Sequence, residues 1–210
     1  HGSQAGYVCL FETPEGHSSG IVKNLALLST LTNDVSSDAV RTLLEKKNGK
    51  VVNIEQMAEM RKSEELDEIM SMTKVYLNGC VVGVSPDALS LCRTLRKIRD
   101  RGRISREISI SYNQVDDEVF VSTDGGRLSR PVIPISRNKS HPLDEQIPVI
   151  DRDLQWQELL RKGYVKYLCP GELENFAVAT DVEALVAAEF YRSEGYDNFR
   201  YDFLEISPAA

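Results

Sequence analysis

Apolar and polar positions along the chain fall into short blocks whose period shifts between two and nearly four, punctuated mostly by Gly, Pro and Asn. The first block, Tyr7-Val8-Cys9-Leu10-Phe11, reads as a strand. A loop rich in Pro and Gly follows, and Ile21 to Leu28 is then almost wholly apolar. Such a run predicts burial on several sides, and its length leaves strand and helix open. Ser36 and Ser37 can cap a helix that carries Ala39, Val40, Leu43 and Leu44 on one face and stops at Asn48-Gly49. From Glu55 to Met72, Met57, Met60, Ile69 and Met70 alternate with Glu and Lys, as in a lightly amphipathic helix or an excursion.

Lys74 to Val84 is a hairpin pattern: two β-rich runs flank Asn78-Gly79, which tolerates positive φ at both turn positions. Ser85-Pro86-Asp87 supplies a cap, a first-turn proline and a first-turn acid for a helix with Leu91, Leu95 and Ile98 inside and Gly102 at its end. Glu107–Tyr112 and Glu118–Ser122 alternate as strands around Asp116-Asp117, and Val132–Ile135 is a third, pushed towards an edge by Pro131 and Pro134. The polar loop 137–150 separates two lobes. Beyond it come a helix Leu154–Lys162 ended by Gly163, a strand Tyr164–Leu168 and a strand Tyr201–Ile206. The sum is an α+β fold of mixed, mainly antiparallel sheets with flanking helices.

Composition narrows this picture. The 210 residues suffice for one large or two small domains, and 41% hydrophobic with 27% charged residues is ordinary for a folded globular chain. No run approaches the ~20 apolar residues of a membrane-spanning helix, so no membrane partner is expected. His1-Gly2-Ser3 reads as the remnant of a tag and linker. Cys9, Cys80, Cys92 and Cys169 are scattered without metal-ligand spacing, which predicts no metal site and reduced, buried thiols in an intracellular protein. The net charge of −7 disfavours a free-standing nucleic-acid binder, since phosphate contacts need a basic surface.

Three groups of residues invite a chemical reading. Glu12-Thr13-Pro14-Glu15-Gly16-His17-Ser18-Ser19-Gly20 is a polar loop between apolar runs, by composition a turn with a capping carboxylate. A Ser/His hydrolase has little support, because no nucleophile-elbow pattern is present. Arg93, Arg96, Lys97 and Arg99, followed by Arg101, Arg103 and Arg106, read as a solvated helix face; a phosphate-contacting or subunit-docking patch is the other reading. Arg127 and Arg130 are candidates for a structural clamp onto an acid such as Glu12 or Glu15, as a guanidinium forks well to a carboxylate. Trp156, beside Leu159 and Leu160, reads as core, and His141 as a loop residue.

Val8-Cys9, Glu12-Thr13-Pro14-Glu15-Gly16, Gly20 and Val22-Lys23-Asn24-Leu25 together resemble the fork signature of second-largest subunits of multisubunit DNA-directed RNA polymerases. Further matches follow in the family's order: Val75-Tyr76-Leu77-Asn78-Gly79 with Gly83-Val84, Leu95-Arg96-Lys97, Thr123-Asp124-Gly125-Gly126-Arg127-Leu128-Ser129-Arg130-Pro131, and Glu205-Ile206 with Pro208. They cover nearly the whole chain. Pro14, Glu15, Lys23, Asn24 and the Asp-Gly-Gly-Arg run resemble the eukaryotic, archaeal and large-DNA-virus branch, while Leu10-Phe11 and His17-Ser18-Ser19 depart from its usual residues.

The resemblance implies an internal piece of such a subunit: a fork segment at 7–32 after a leading 1–6, then a first external domain at 33–106 and a second at 107–210. It implies template-directed nucleotidyl transfer in the parent enzyme, assisted by Mg2+ ions that the largest subunit mainly holds. No catalytic residue, cofactor or metal ligand is then expected in this chain. Glu15 becomes the candidate for tuning the neighbouring active centre, with Glu12, Thr13, Pro14, Gly16, Lys23 and Asn24 completing the motif. Implied partners are the other subunits, above all the largest, with the DNA template and the RNA:DNA hybrid. The implied setting is intracellular: the nucleus for a cellular eukaryotic enzyme, the cytoplasm or virion for a viral or archaeal one. A module that only binds subunits or transcription factors is the alternative.

Overall fold

The structure, a computed structural model, describes residues 4–45, 51–53, 71–135, 155–194 and 200–206. The chain forms two compact units, one from residues 1–31 and 128–210 and the other from residues 32–127. In chain order the elements begin with β1 (Thr30–Leu31), α1 (Asp38–Glu45), β2 (Val52–Asn53), β3 (Thr73–Leu77) and β4 (Cys80–Ser85). Next come α2 (Ala88–Asp100), β5 (Ser109–Asn113), β6 (Glu118–Ser122) and β7 (Leu128–Pro134). The last are α3 (Trp156–Lys162), β8 (Lys166–Leu168), α4 (Pro170–Leu173), β9 (Val178–Ala179), α5 (Val182–Ser193) and β10 (Phe203–Glu205). The expected α+β class holds. Among the described residues no helix is long and apolar enough to cross a membrane.

The unit 32–127 is built on a sheet ordered β2-β4-β3-β6-β5, antiparallel throughout except for the parallel pair β3·β6. Its hairpin forms where Asn78-Gly79 predicts it, with φ of 50° at Asn78 and 78° at Gly79, and a bulge follows Val75. Strand alternation turns Thr73, Val75 and Leu77 inward, and Val75 and Leu77 join Val119, Val121 and Ile110 in the core. α2 closes this core with Ala88, Leu91, Cys92 and Leu95, and α1 adds Val40 and Leu44. α2 starts two residues later than expected: its cap is Asp87, which accepts a hydrogen bond from the Ser90 amide at 2.9 Å, while Ser85 ends β4. A carboxylate reaches the third amide of the helix, whereas Ser85 is held in the ladder.

In the other unit β7 is the central strand, pairing antiparallel with β1, β8 and β10, and β9 adds parallel to β10. The edge position expected from its prolines is therefore corrected. Pro131 sits in register with Tyr167 and Pro134, the last residue of the strand, with Phe203, so each proline forgoes one donor while its neighbours still pair. Val132, Leu168 and Phe203 form one core patch, and Ala179, Leu185 and Leu204 form another. Trp156 is not core but 39% exposed, edge-on to Tyr167. Of the cysteines, Cys92 and Cys169 are buried as expected, Cys9 is half-buried and Cys80 is exposed. The helix or excursion expected over 55–72 lies outside the described residues but for Ser71 and Met72, as do the stop at Asn48-Gly49 and the loop 137–150.

Candidate functional site

The segment Tyr7–Leu28 takes up neither long strand nor helix. The strand expected at Tyr7–Phe11 shrinks to an isolated antiparallel bridge, Val8 with Leu25, flanked by Cys9 N–H to Asn24 O at 2.9 Å and Ala26 N–H to Tyr7 O at 3.1 Å. These contacts make a two-legged stem. Only Tyr7 and Ala26 are buried in it; Phe11 is 83% and Leu27 87% exposed, so the burial expected for the apolar runs is not found among the described residues.

Above the stem, Glu12, Thr13, Pro14, Glu15 and Gly16 are all exposed, as are Lys23 and Asn24. The loop is closed by Thr13, whose hydroxyl accepts from Gly20 N–H at 2.8 Å, and by a 3-10 turn over Gly16–Ser18. Gly16 and Gly20 supply the positive φ, 84° and 74°, that this path requires. Glu15 stands at the N-cap of the short turn without making a side-chain cap bond, so the loop is held by a threonine rather than by the expected carboxylate. The Glu15 carboxylate is thus presented to solvent.

The arginines behave differently from one another. Arg130, in β7, pairs with Glu205 of β10, and its guanidinium carbon lies 5.3 Å from the centroid of the Tyr7 ring. Its acid is thus Glu205 and neither Glu12 nor Glu15. The Tyr7 hydroxyl donates to Leu168 O at 3.0 Å, and burial pushes this phenol far above its ordinary pKa, with Arg130 pulling the other way. Arg127 donates to two carbonyls, Asp124 O and Glu107 O, each at 2.8 Å, and the Glu107 carboxylate accepts from Asn33 N–H at 3.3 Å.

On α2, Arg93 and Lys97 are exposed, but Arg96 donates to Ile110 O at 2.6 Å and the buried Arg99 to Ile108 O at 2.6 Å. Half of the supposed basic face thus pins the helix to the carbonyls leading into and along β5. Among the described residues no three His, Cys, Asp or Glu side chains converge on a position that could hold a metal ion.

The glycine-bearing motifs are interlocks within the 32–127 unit. Thr32 exchanges bonds with the turn after Asp124: Gly126 N–H to Thr32 O at 2.8 Å, Thr32 N–H to Arg127 O at 2.9 Å, and Arg127 N–H to the Thr32 hydroxyl at 3.1 Å. A Cβ on Gly125 would fall 2.7 Å from Asp34 N, so the backbones touch there. Asn78 clasps Thr123 reciprocally, Nδ2 to Oγ1 and Thr123 N–H to Oδ1, both at 2.8 Å. The sequence reading misses this second task of Asn78, and also Tyr7 and Glu205. A lone acid in the apolar run Phe203-Leu204-Glu205-Ile206 is the one signal that points to Glu205.

Profiles of RNA polymerase Rpb2 domain 3 and domain 4 match residues 1–31 and 75–136. The DNA-directed RNA polymerase subunit Rpo2 of Sulfolobus acidocaldarius is 32% identical over 190 residues, 88% of this chain and 17% of that protein. RNA polymerase II subunit RPB2 of Encephalitozoon cuniculi is 30% identical over all of this chain and 17% of its own length. DNA-directed RNA polymerase subunit 2 of Acanthamoeba polyphaga mimivirus is 30% identical over 85% of the chain and 14% of its own length. The chain therefore spans about a sixth of the relatives it matches, and these come from the archaeal, eukaryotic and large-virus groups that its motifs resemble. With the two profiles matching 1–31 and 75–136 and the relatives aligning over most or all of the chain, the chain belongs to the family of second-largest subunits of multisubunit DNA-directed RNA polymerases.

Proposed function

We propose that this chain supplies the fork segment, 7–32, beside the active centre of a DNA-directed RNA polymerase, together with outer structural lobes of the subunit. The observation that carries this reading is the Glu12–Gly20 loop: a family motif, closed by its own threonine and glycines, that holds Glu15 out on a narrow stem. A carboxylate so placed can orient basic groups that hold nucleotide phosphates or adjust the field around the catalytic Mg2+ ions. The chain itself supplies neither nucleophile nor metal ligands in this reading. The metal-binding groups belong mainly to the largest subunit, its foremost partner, with DNA template and hybrid close by.

Glu15→Ala in the assembled polymerase is expected to change elongation rate several-fold while the subunit stays bound, as removal of a nearby charge does. Stopped-flow extension of a defined hybrid checks this, and unchanged kinetics removes the proposal. The alternative of a subunit- or factor-binding module is favoured by the outer stripe of α5, where Val182, Val186 and Phe190 are each about half exposed or more. On that reading Glu15→Ala leaves elongation untouched and substitutions on α5 weaken assembly.

A further inference from the structure

We propose that Tyr7, Arg130 and Glu205 are positioning residues: an anchor at the foot of the Glu12–Gly20 loop that sets where the loop stands. The inference rests on the reading of that loop as the polymerase fork.

The need for an anchor follows from the stem. It consists of one bridge and two hydrogen bonds, all within two residues of Tyr7 on one leg. Isolated strand pairs of that size are marginal in water, so the loop cannot be placed by its stem alone. Placement comes from the sheet. Three strands converge on the Tyr7 ring: β8 through the Leu168 carbonyl, β7 through the Arg130 guanidinium, and β10 through the Glu205 carboxylate that holds this guanidinium. The paired side chains are 8% and 12% exposed, and a charge pair so removed from water demands one geometry.

The stem also leaves no slack. Gly6 has φ of +76°, and a Cβ there would stand 2.6 Å from Arg130 Nη1 and 2.7 Å from its Cδ. The guanidinium is held by Glu205, so a side chain at residue 6 is admitted only by displacing it from that pairing. If Tyr7 were simply a packed aromatic, its hydroxyl would be dispensable. Instead it is buried and donates to the Leu168 carbonyl of β8 at 3.0 Å, a bond that a phenylalanine cannot make.

The test is amide exchange on the chain carrying Tyr7→Phe, read at Cys9 and Ala26, whose amides close the stem. Both are expected to exchange roughly tenfold faster, the effect of one lost hydrogen bond on local opening, with β6 unchanged as the internal reference. Gly6→Ala, which displaces Arg130 and leaves the phenol intact, is expected to act in the same direction. Unchanged exchange at Cys9 and Ala26 in Tyr7→Phe overturns the anchor.

Assembled polymerase carrying Tyr7→Phe is expected to show a raised KM for nucleotides with kcat less affected. Faster stem exchange with normal elongation in both Tyr7→Phe and Glu15→Ala sinks the fork reading and leaves the anchor standing. Slowed elongation in Glu15→Ala with undisturbed stem exchange does the reverse.

Discussion

Asn78 shows how much one side chain can carry. Its φ of 50° satisfies the hairpin turn, and its amide group gives and takes a hydrogen bond with Thr123, which is itself buried. Asn78→Ala removes both bonds, leaves the Thr123 amide without its acceptor and strains the turn, and is expected to cost about 2–4 kcal/mol. Asn78→Asp keeps the acceptor for Thr123 N–H and is expected to cost less; urea unfolding followed by circular dichroism ranks the two. The turn role was legible in the Asn-Gly dipeptide because φ preference is local. The clasp was not, because it depends on the parallel register that sets Leu77 beside Val121.

The same division runs through the elements. The β3–β4 hairpin and the inner stripe of α2 appear where periodicity predicts them, since both need only neighbours a few positions away. β7 reverses its expectation: prolines argue for an edge, yet the strand is central because three partners flank it at other positions. No element is expected between Leu168 and Tyr201, where α4, β9 and α5 lie, although Asp181 caps α5 by accepting from Ala184 N–H at 2.7 Å. Gly125 tests how closely elements approach. Gly125→Ala must push the Asp34 backbone away and loosen the three bonds around Thr32, with an expected loss of about 1–3 kcal/mol in the midpoint analysis of the same unfolding experiment.

For the molecule as a whole, tyrosines in both units tie stability to alkaline pH. Burial raises the pKa of Tyr7, while hydrogen bonds to Glu118 and Asp117 raise those of Tyr76 and Tyr112. Unfolded tyrosines ionise near 10, so the folded chain retains protons that the unfolded chain releases above that pH. Stability is therefore full below pH 10 and falls as pH rises beyond it, by about 1.4 kcal/mol per pH unit from the buried Tyr7 while it stays protonated only when folded. Unfolding free energies measured from pH 8 to 11.5 should show this limb, and Tyr7→Phe should make it shallower.

Read by itself, the sequence determined the turns, most helix positions, the α+β class and, through motifs in a fixed order, the polymerase family; all of these are written in residue type and short spacing. The tertiary structure decided which acid holds Arg130, which carbonyls take Arg96, Arg99 and Arg127, and that Tyr7 roots the Glu12–Gly20 loop in the β7–β8–β10 sheet. The physical reason is reach. A guanidinium pairs with whichever acceptor strand register brings within about 3 Å, and register is a property of the folded sheet rather than of any stretch of chain.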